Sequence, residues 1–115
     1  MLKILHHPSC SKSRKILEIL DENAVEFELI DFVAEPLSPE EIQVLVRKHG
    51  EPYESLVRTQ DPLFKERYEG MEFSAENVAR LLEQSGELLQ RPIAVSGGVA
   101  MVLRPSERLY YFFKK

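Results

Sequence analysis

An α/β fold with a mixed four-stranded sheet is what the sequence predicts, and three observations predict it. A short apolar run opens the chain, an amphipathic helix and a strictly alternating segment follow it, and two apolar runs joined by Gly97-Gly98 stand near its end. Helical and alternating periodicities mixed in this way belong to a layered α/β architecture. The chain has 115 residues, about one domain's worth.

Each element has its own physical warrant. Leu2-Lys3-Ile4-Leu5 is a short apolar run that stops at His6-His7-Pro8, as a buried first strand would. From Ser11, Ile16, Leu17, Ile19 and Leu20 recur at helical spacing, with Arg14, Lys15, Glu18 and Asp21 on the other side; this helix is expected to end near Asn23. Val25-Glu26-Phe27-Glu28-Leu29 alternates and predicts a second strand running to about Asp31, parallel to the first through a right-handed crossover. Ser38-Pro39-Glu40-Glu41 combines a cap, a first-turn proline and a reciprocal capping box, and Ile42, Leu45 and Val46 carry that helix to about Lys48. Pro52 and Pro62 bracket a less regular segment with a short helix around Tyr53–Val57. Ser74 is placed to cap a helix over Ala75–Gln84 with Val78, Leu81 and Leu82 facing the core. Ile93–Ser96 and Val99–Leu103, separated by Gly97-Gly98, form a hairpin signal. Ser106 opens a last helical turn whose Tyr110, Tyr111, Phe112 and Phe113 are expected to pack on the sheet. The order β-α-β, helices, β-β, helix is the thioredoxin-like one.

Composition mainly excludes. Fifteen basic against nineteen acidic residues leave a net charge of −4, which implies no broad basic face and no nucleic-acid partner. With one cysteine, Cys10, neither an intrachain disulfide nor a Cys-rich zinc site can form. The first residues turn polar too soon for a signal peptide, and no apolar run approaches the ~20 residues of a membrane span. A cytoplasmic domain is expected, with no membrane partner.

The single thiol lies where the first strand has ended and the first helix begins. There it meets the positive end of the helix dipole and unpaired N–H groups, which favour the nucleophilic thiolate over an inert buried thiol. Lys12, Arg14 and one or other of His6 and His7 are expected to add positive charge nearby. Cys10-Ser11-Lys12-Ser13 is a C-x-x-S arrangement, the redox C-x-x-C with its resolving thiol replaced. Such a cysteine can form an adduct, but a second thiol must come from outside. Position 16, where a thiol phosphatase places its arginine, is Ile16, so that chemistry is not expected. Adjacent histidines on extended backbone point opposite ways and no carboxylate completes a set, so His6, His7 and Cys10 are not expected to bind metal. His49, at a helix carboxyl end, is expected to be a surface residue compensating the dipole. Arg58, Arg91 and Arg104 lie beside breaks in the chain, and the last two directly precede prolines. Arginine suits bidentate binding of oxyanions, and an X-Pro bond restricts the backbone that presents it.

These residues together resemble a known family. His6-His7-Pro8-Ser9-Cys10-Ser11-Lys12-Ser13-Arg14 is similar to the H-x-P-x-C-x-x-S-R segment of the glutaredoxin-dependent arsenate reductases. Leu56-Val57-Arg58, Arg91-Pro92-Ile93-Ala94-Val95 and Leu103-Arg104-Pro105-Ser106-Glu107 resemble that family's three arginine segments, in the same order. The resemblance implies one thioredoxin-like domain over residues 1–115, with a helical insertion at about 38–84 and a cis-proline at Pro92. It implies that Cys10 attacks arsenate or a related oxyanion, that His6 helps to keep Cys10 ionised, and that Arg58, Arg91, Arg104 and Ser13 bind the substrate. It further implies glutathione as the external thiol reductant, glutaredoxin as the protein partner and no bound cofactor. Members with a longer carboxyl-terminal helix differ from this chain, which bears on how residues 77–86 close the site. Two other functions are compatible with the fold: a glutathione-dependent thiol reductase with another substrate, and a non-enzymatic, polymerase-binding redox regulator. The latter usually carries C-x-x-C, and Ser13 stands in its second position here.

Overall fold

The computed structural model describes residues 2–113. Four strands, β1 (Lys3–His6), β2 (Glu28–Asp31), β3 (Ile93–Ser96) and β4 (Val99–Val102), form one sheet in the order β2-β1-β3-β4. β1 runs parallel to β2 and antiparallel to β3, and β3 is antiparallel to β4, so the sheet is mixed as predicted. Four α-helices accompany it among the described residues: α1 (Ser11–Glu22), α2 (Pro39–Lys48), α3 (Pro62–Arg67) and α4 (Ala75–Gln84). Short 3-10 helices occupy Tyr53–Leu56, Gly86–Leu88 and Ser106–Phe113.

The chain divides into two compact units. One comprises the described residues up to Pro36 together with those from Arg91 onward; the other is Leu37–Gln90. The first is built on the sheet. Leu2, Ile4 and Ala94 form one core with Ile16, Ile19 and Leu20 of α1 and with Leu103, Leu109 and Phe112 near the carboxyl end. The spacing of the α1 residues places them on one helical stripe, which is why that helix packs flat against the strands. β1 is buried in its last three residues because it is central and covered on both faces.

β2 is shorter than the alternation of residues 25–29 predicts. After α1, Ala24 takes a left-handed φ of 53° and the Val25 N–H donates to the Leu20 carbonyl. The ladder then starts only where β1 offers a partner, Lys3 opposite Glu28. Val25 and Phe27 pack on the core without belonging to the strand, and Leu29 on the sheet edge is exposed. At the other side of the sheet, Gly97 takes a φ of 57° in the two-residue turn between β3 and β4, a conformation that favours glycine.

In the second unit, α2 starts with the expected capping box: Ser38 Oγ accepts from the Glu41 N–H at 3.1 Å, and Glu41 Oε1 accepts from the Ser38 N–H at 2.8 Å. α2 packs against α4 through Ile42, Leu45 and Val46 on one side and Val78, Ala79, Leu81 and Leu82 on the other. α3 was not anticipated, although its signal is present: Asp61 caps the Leu63 N–H at 2.9 Å and Pro62 takes the first helical position. Phe64 of α3 is buried and stacks on Phe73 at 6.0 Å between ring centroids. His49 corrects another expectation. It is 5% exposed rather than on the surface, and its Nε2 pairs with Ser55 Oγ at 2.7 Å.

The carboxyl-terminal aromatics divide. Phe112 joins the core, whereas Tyr110 and Tyr111 are exposed. No helix among the described residues is long and apolar enough to cross a membrane.

Candidate active site

Cys10 is the N-cap residue of α1, with extended backbone at φ −91° and ψ 119°. Its carbonyl accepts the first helical bond, from the Arg14 N–H at 3.1 Å. The sulfur is therefore presented, half-buried, at the end of the helix where backbone donors converge.

The turn that delivers it is tied on several sides. The Cys10 N–H donates to the His7 carbonyl at 3.0 Å, and the Ser9 N–H donates to His7 Nδ1 at 3.2 Å. The His7 N–H donates to Ser13 Oγ at 3.4 Å, and Arg14 Nη1 donates to the Pro8 carbonyl at 3.1 Å. The His7 ring meets Phe32 edge-on at 5.9 Å.

Register brings two of the arginines together. Ile93 lies opposite Val102, and the ladder continues past the strands, with the Leu103 N–H donating to the Pro92 carbonyl at 2.9 Å. One step further, Arg91 and Arg104 are side by side, and Arg104 Nε donates to the Arg91 carbonyl at 2.7 Å. Both residues precede cis peptide bonds, Arg91–Pro92 and Arg104–Pro105, of which only the first was expected. Arg104 Nη2 then reaches Cys10 Sγ at 3.7 Å, and the Arg91 side chain also hydrogen-bonds the thiol.

Burial pushes the Cys10 thiol up, but the surrounding donors outweigh it and bring its pKa down from 9.0 to about 7. They are the Ser13 N–H and hydroxyl, the Lys12 N–H and the Arg91 side chain. Ser13 is fully buried; its oxygen accepts from the His7 N–H, which leaves its own proton for the sulfur. Lys12 contributes through its backbone N–H, and the Arg14 guanidinium donates to the Pro8 carbonyl.

His6, at the end of β1 opposite Asp31, is 6% exposed, and its Nδ1 has no hydrogen-bond partner among the described residues. Its pKa lies below the ordinary value of 6.5, chiefly because burial disfavours the charged ring; Asp31 works against this and Arg14 with it. Arg58 belongs to the Leu37–Gln90 unit, where its N–H donates to the Leu88 carbonyl at 2.8 Å and its Nε faces Asp61 at 3.8 Å. Among the described residues, no cluster of three or more His, Cys, Asp or Glu is arranged to hold a metal ion.

A thiol half-ionised at neutral pH beside two guanidinium groups can attack an electrophile that carries negative oxygens. Sequence reasoning missed two parts of this arrangement. The pairing of Arg91 with Arg104 was implicit in the two-residue hairpin, whose register fixes which residues meet. The bond from Arg14 to Pro8 left no signal beyond an arginine in the first turn of α1.

The same segments carry a likeness to known proteins. Residues 5–112 match the model of the ArsC family. An uncharacterized Escherichia coli protein, YfgD, is 33% identical over 110 residues, 94% of this chain and 92% of that relative. An arsenate reductase of Neisseria meningitidis is 31% identical over 110 residues, covering 94% of each chain. The solved structure of an arsenate reductase from Vibrio cholerae superposes with a TM-score of 0.85 at 28% identity, covering 96% of this chain and 95% of that one. With a thioredoxin-like mixed sheet, a thiol at the start of α1 and a family match spanning nearly its whole length, the chain belongs to the ArsC family.

Proposed function

We propose that the protein is an arsenate reductase that uses glutathione and glutaredoxin as its source of electrons. What supports this most is the meeting of a thiol of pKa about 7 with Arg91 and Arg104 on one side of the sheet unit. Arsenate near neutral pH is a tetrahedral anion, and fixed guanidinium groups at a helix amino terminus suit both its charge and its shape. The names of the Neisseria and Vibrio relatives point to the same substrate.

In the proposed reaction the Cys10 thiolate attacks arsenic, and one arsenate oxygen leaves as water or hydroxide, giving a Cys–S–As(V) adduct. Glutathione adds to arsenic through its sulfur with loss of a second oxygen as water. A glutaredoxin thiolate then attacks the glutathione sulfur. The S–As bond breaks, its electron pair stays on arsenic, and the two sulfurs leave as a mixed disulfide. Arsenic is now As(III), and hydroxide displaces the Cys10 thiolate to release arsenite. With Ser13 in the place of a resolving cysteine, the second and third sulfurs must both come from outside. The cytoplasm, where both reductants are kept reduced, is the compartment this chemistry requires.

Arg91 and Arg104 bind the oxyanion and the charge that develops on it, Ser13 supports the thiolate, and a share in keeping Cys10 ionised is assigned to His6 from its sequence segment alone. A share in oxyanion binding is assigned to Arg58 from its sequence segment alone.

The test is arsenite formation from arsenate with glutathione and glutaredoxin, wild type beside Cys10→Ser. Arsenite from the wild type alone is the expected result. A folded wild type without activity overturns the proposal, and equal activity with thioredoxin in place of both reductants overturns its electron source. A folded protein inactive on arsenate but reducing glutathione mixed disulfides through Cys10 is instead a thiol reductase, and that enzyme tolerates Arg58→Ala.

A further inference from the structure

We infer that Arg14 is a positioning residue, whose bond to the Pro8 carbonyl holds the turn that aims the Cys10 sulfur. This rests on the reading of Cys10 as the reacting group, and on the geometry of the segment joining β1 to α1.

The polar groups of that segment account for themselves almost entirely. The His7 carbonyl takes the Cys10 N–H, the Cys10 carbonyl takes the Arg14 N–H, and His7 Nδ1 takes the Ser9 N–H. Two anchors then reach back from the first turn of α1. Ser13 Oγ receives the His7 N–H from the strand side of the turn, and Arg14 Nη1 donates to the Pro8 carbonyl on its outer side. Ser13 is fully buried while Arg14 is exposed, so the turn is held from inside and from outside by consecutive residues.

The division of labour follows from position. Ser13 touches the thiol itself, whereas the side-chain contact shown for Arg14 is with the turn, so its guanidinium acts on Cys10 through Pro8-Ser9. The proline ring already restricts one dihedral of the turn. A bond to the carbonyl of that residue fixes the orientation of the next peptide plane, and with it the approach of Cys10 to the Lys12 and Ser13 N–H groups. Because Arg14 lies in water, its guanidinium is dispensable for folding. What it supplies is the orientation of a reactive atom.

The experiment follows the pH dependence of Cys10 alkylation by iodoacetamide in the full chain, a readout that needs no arsenate and does not depend on the proposed substrate. In Arg14→Ala the midpoint is expected to rise by about one unit, so that alkylation at pH 7 slows about fivefold as the thiolate fraction falls. The melting temperature is expected to stay close to that of the wild type. Arg14→Met, which keeps the apolar stem and removes the donor, is expected to show the same shift. Loss of positive charge alone is controlled in two ways: Lys15→Ala on the same exposed turn is expected to leave the midpoint in place, and the Arg14→Ala shift is expected to persist when salt shortens the Debye length to about 3 Å. An unchanged midpoint in both Arg14 variants overturns the inference. So does a shift that Lys15→Ala reproduces, or one that salt abolishes.

Discussion

The two compact units put their buried serines to different uses. In the Leu37–Gln90 unit the buried polar residues are His49 and Ser85, and each closes a bond within the unit. His49 pairs with Ser55 Oγ, whose own proton goes to the Pro52 carbonyl at 2.6 Å, and Ser85 pairs with the Tyr68 hydroxyl at 2.8 Å. In the sheet unit the corresponding residues are His6 and Ser13. Ser13 spends its hydroxyl on the reactive thiol. Buried polarity that satisfies itself stabilises a fold. Buried polarity aimed at a thiol marks the place where chemistry is done.

Substitutions can break this contrast, and the largest effect is expected at the thiol. Cys10→Ser is expected to abolish arsenite formation in a folded protein; retained turnover would mean that the sheet unit's polar cluster is not the reacting centre. Next, Arg91→Ala and Arg104→Ala are each expected to raise KM for arsenate by about tenfold to a hundredfold, with a smaller effect on kcat, as loss of a charge-assisted contact to substrate does. Steady-state kinetics check this, and unchanged KM values would remove the arginine pair from binding.

A smaller effect is expected at Ser13. The wild-type thiol should be alkylated with a midpoint near pH 7 rather than 9, and Ser13→Ala should move that midpoint up by about one unit. The direction follows from which form the hydroxyl supports: a donor bond to sulfur favours the thiolate, so its loss favours the protonated thiol. Smallest for the chemistry are His49→Ala and Ser85→Ala. Each is expected to cost about 1–3 kcal/mol of stability in denaturant titrations, because a buried partner is left unsatisfied, with the Cys10 midpoint unmoved. A shifted midpoint in either variant would dissolve the distinction between the two units.

Much of this was legible in the sequence because it is local. The apolar stripe of α1, the capping box at Ser38 and Glu41 and the glycine turn at residues 97–98 each depend on residues a few places apart, and each formed where its signal stands. Asp61-Pro62 is an equally local signal, a cap followed by a first-turn proline, and α3 starts on it. The start of β2 was misplaced because alternation reports which side chains face inward, whereas a strand begins only where a neighbour offers a ladder partner. His49 was misplaced for a similar reason. A histidine at a helix end reads as a solvated charge until Ser55 is folded against it.

For the site, the sequence by itself determined that it holds one thiol, that this thiol stands at a helix start, and that Ser13 occupies the second position of a C-x-x-C spacing. These follow from counting and spacing, which folding cannot alter. Tertiary structure alone decided what surrounds that thiol. Arg91 and Arg104 reach it because hairpin register places them side by side at one end of the sheet. The pKa of His6 is lowered because burial costs more than Asp31 returns, and Arg14 serves a carbonyl rather than the field of the thiol. Charge, distance and desolvation are properties of neighbours, and neighbours far apart in the chain exist only once it has folded.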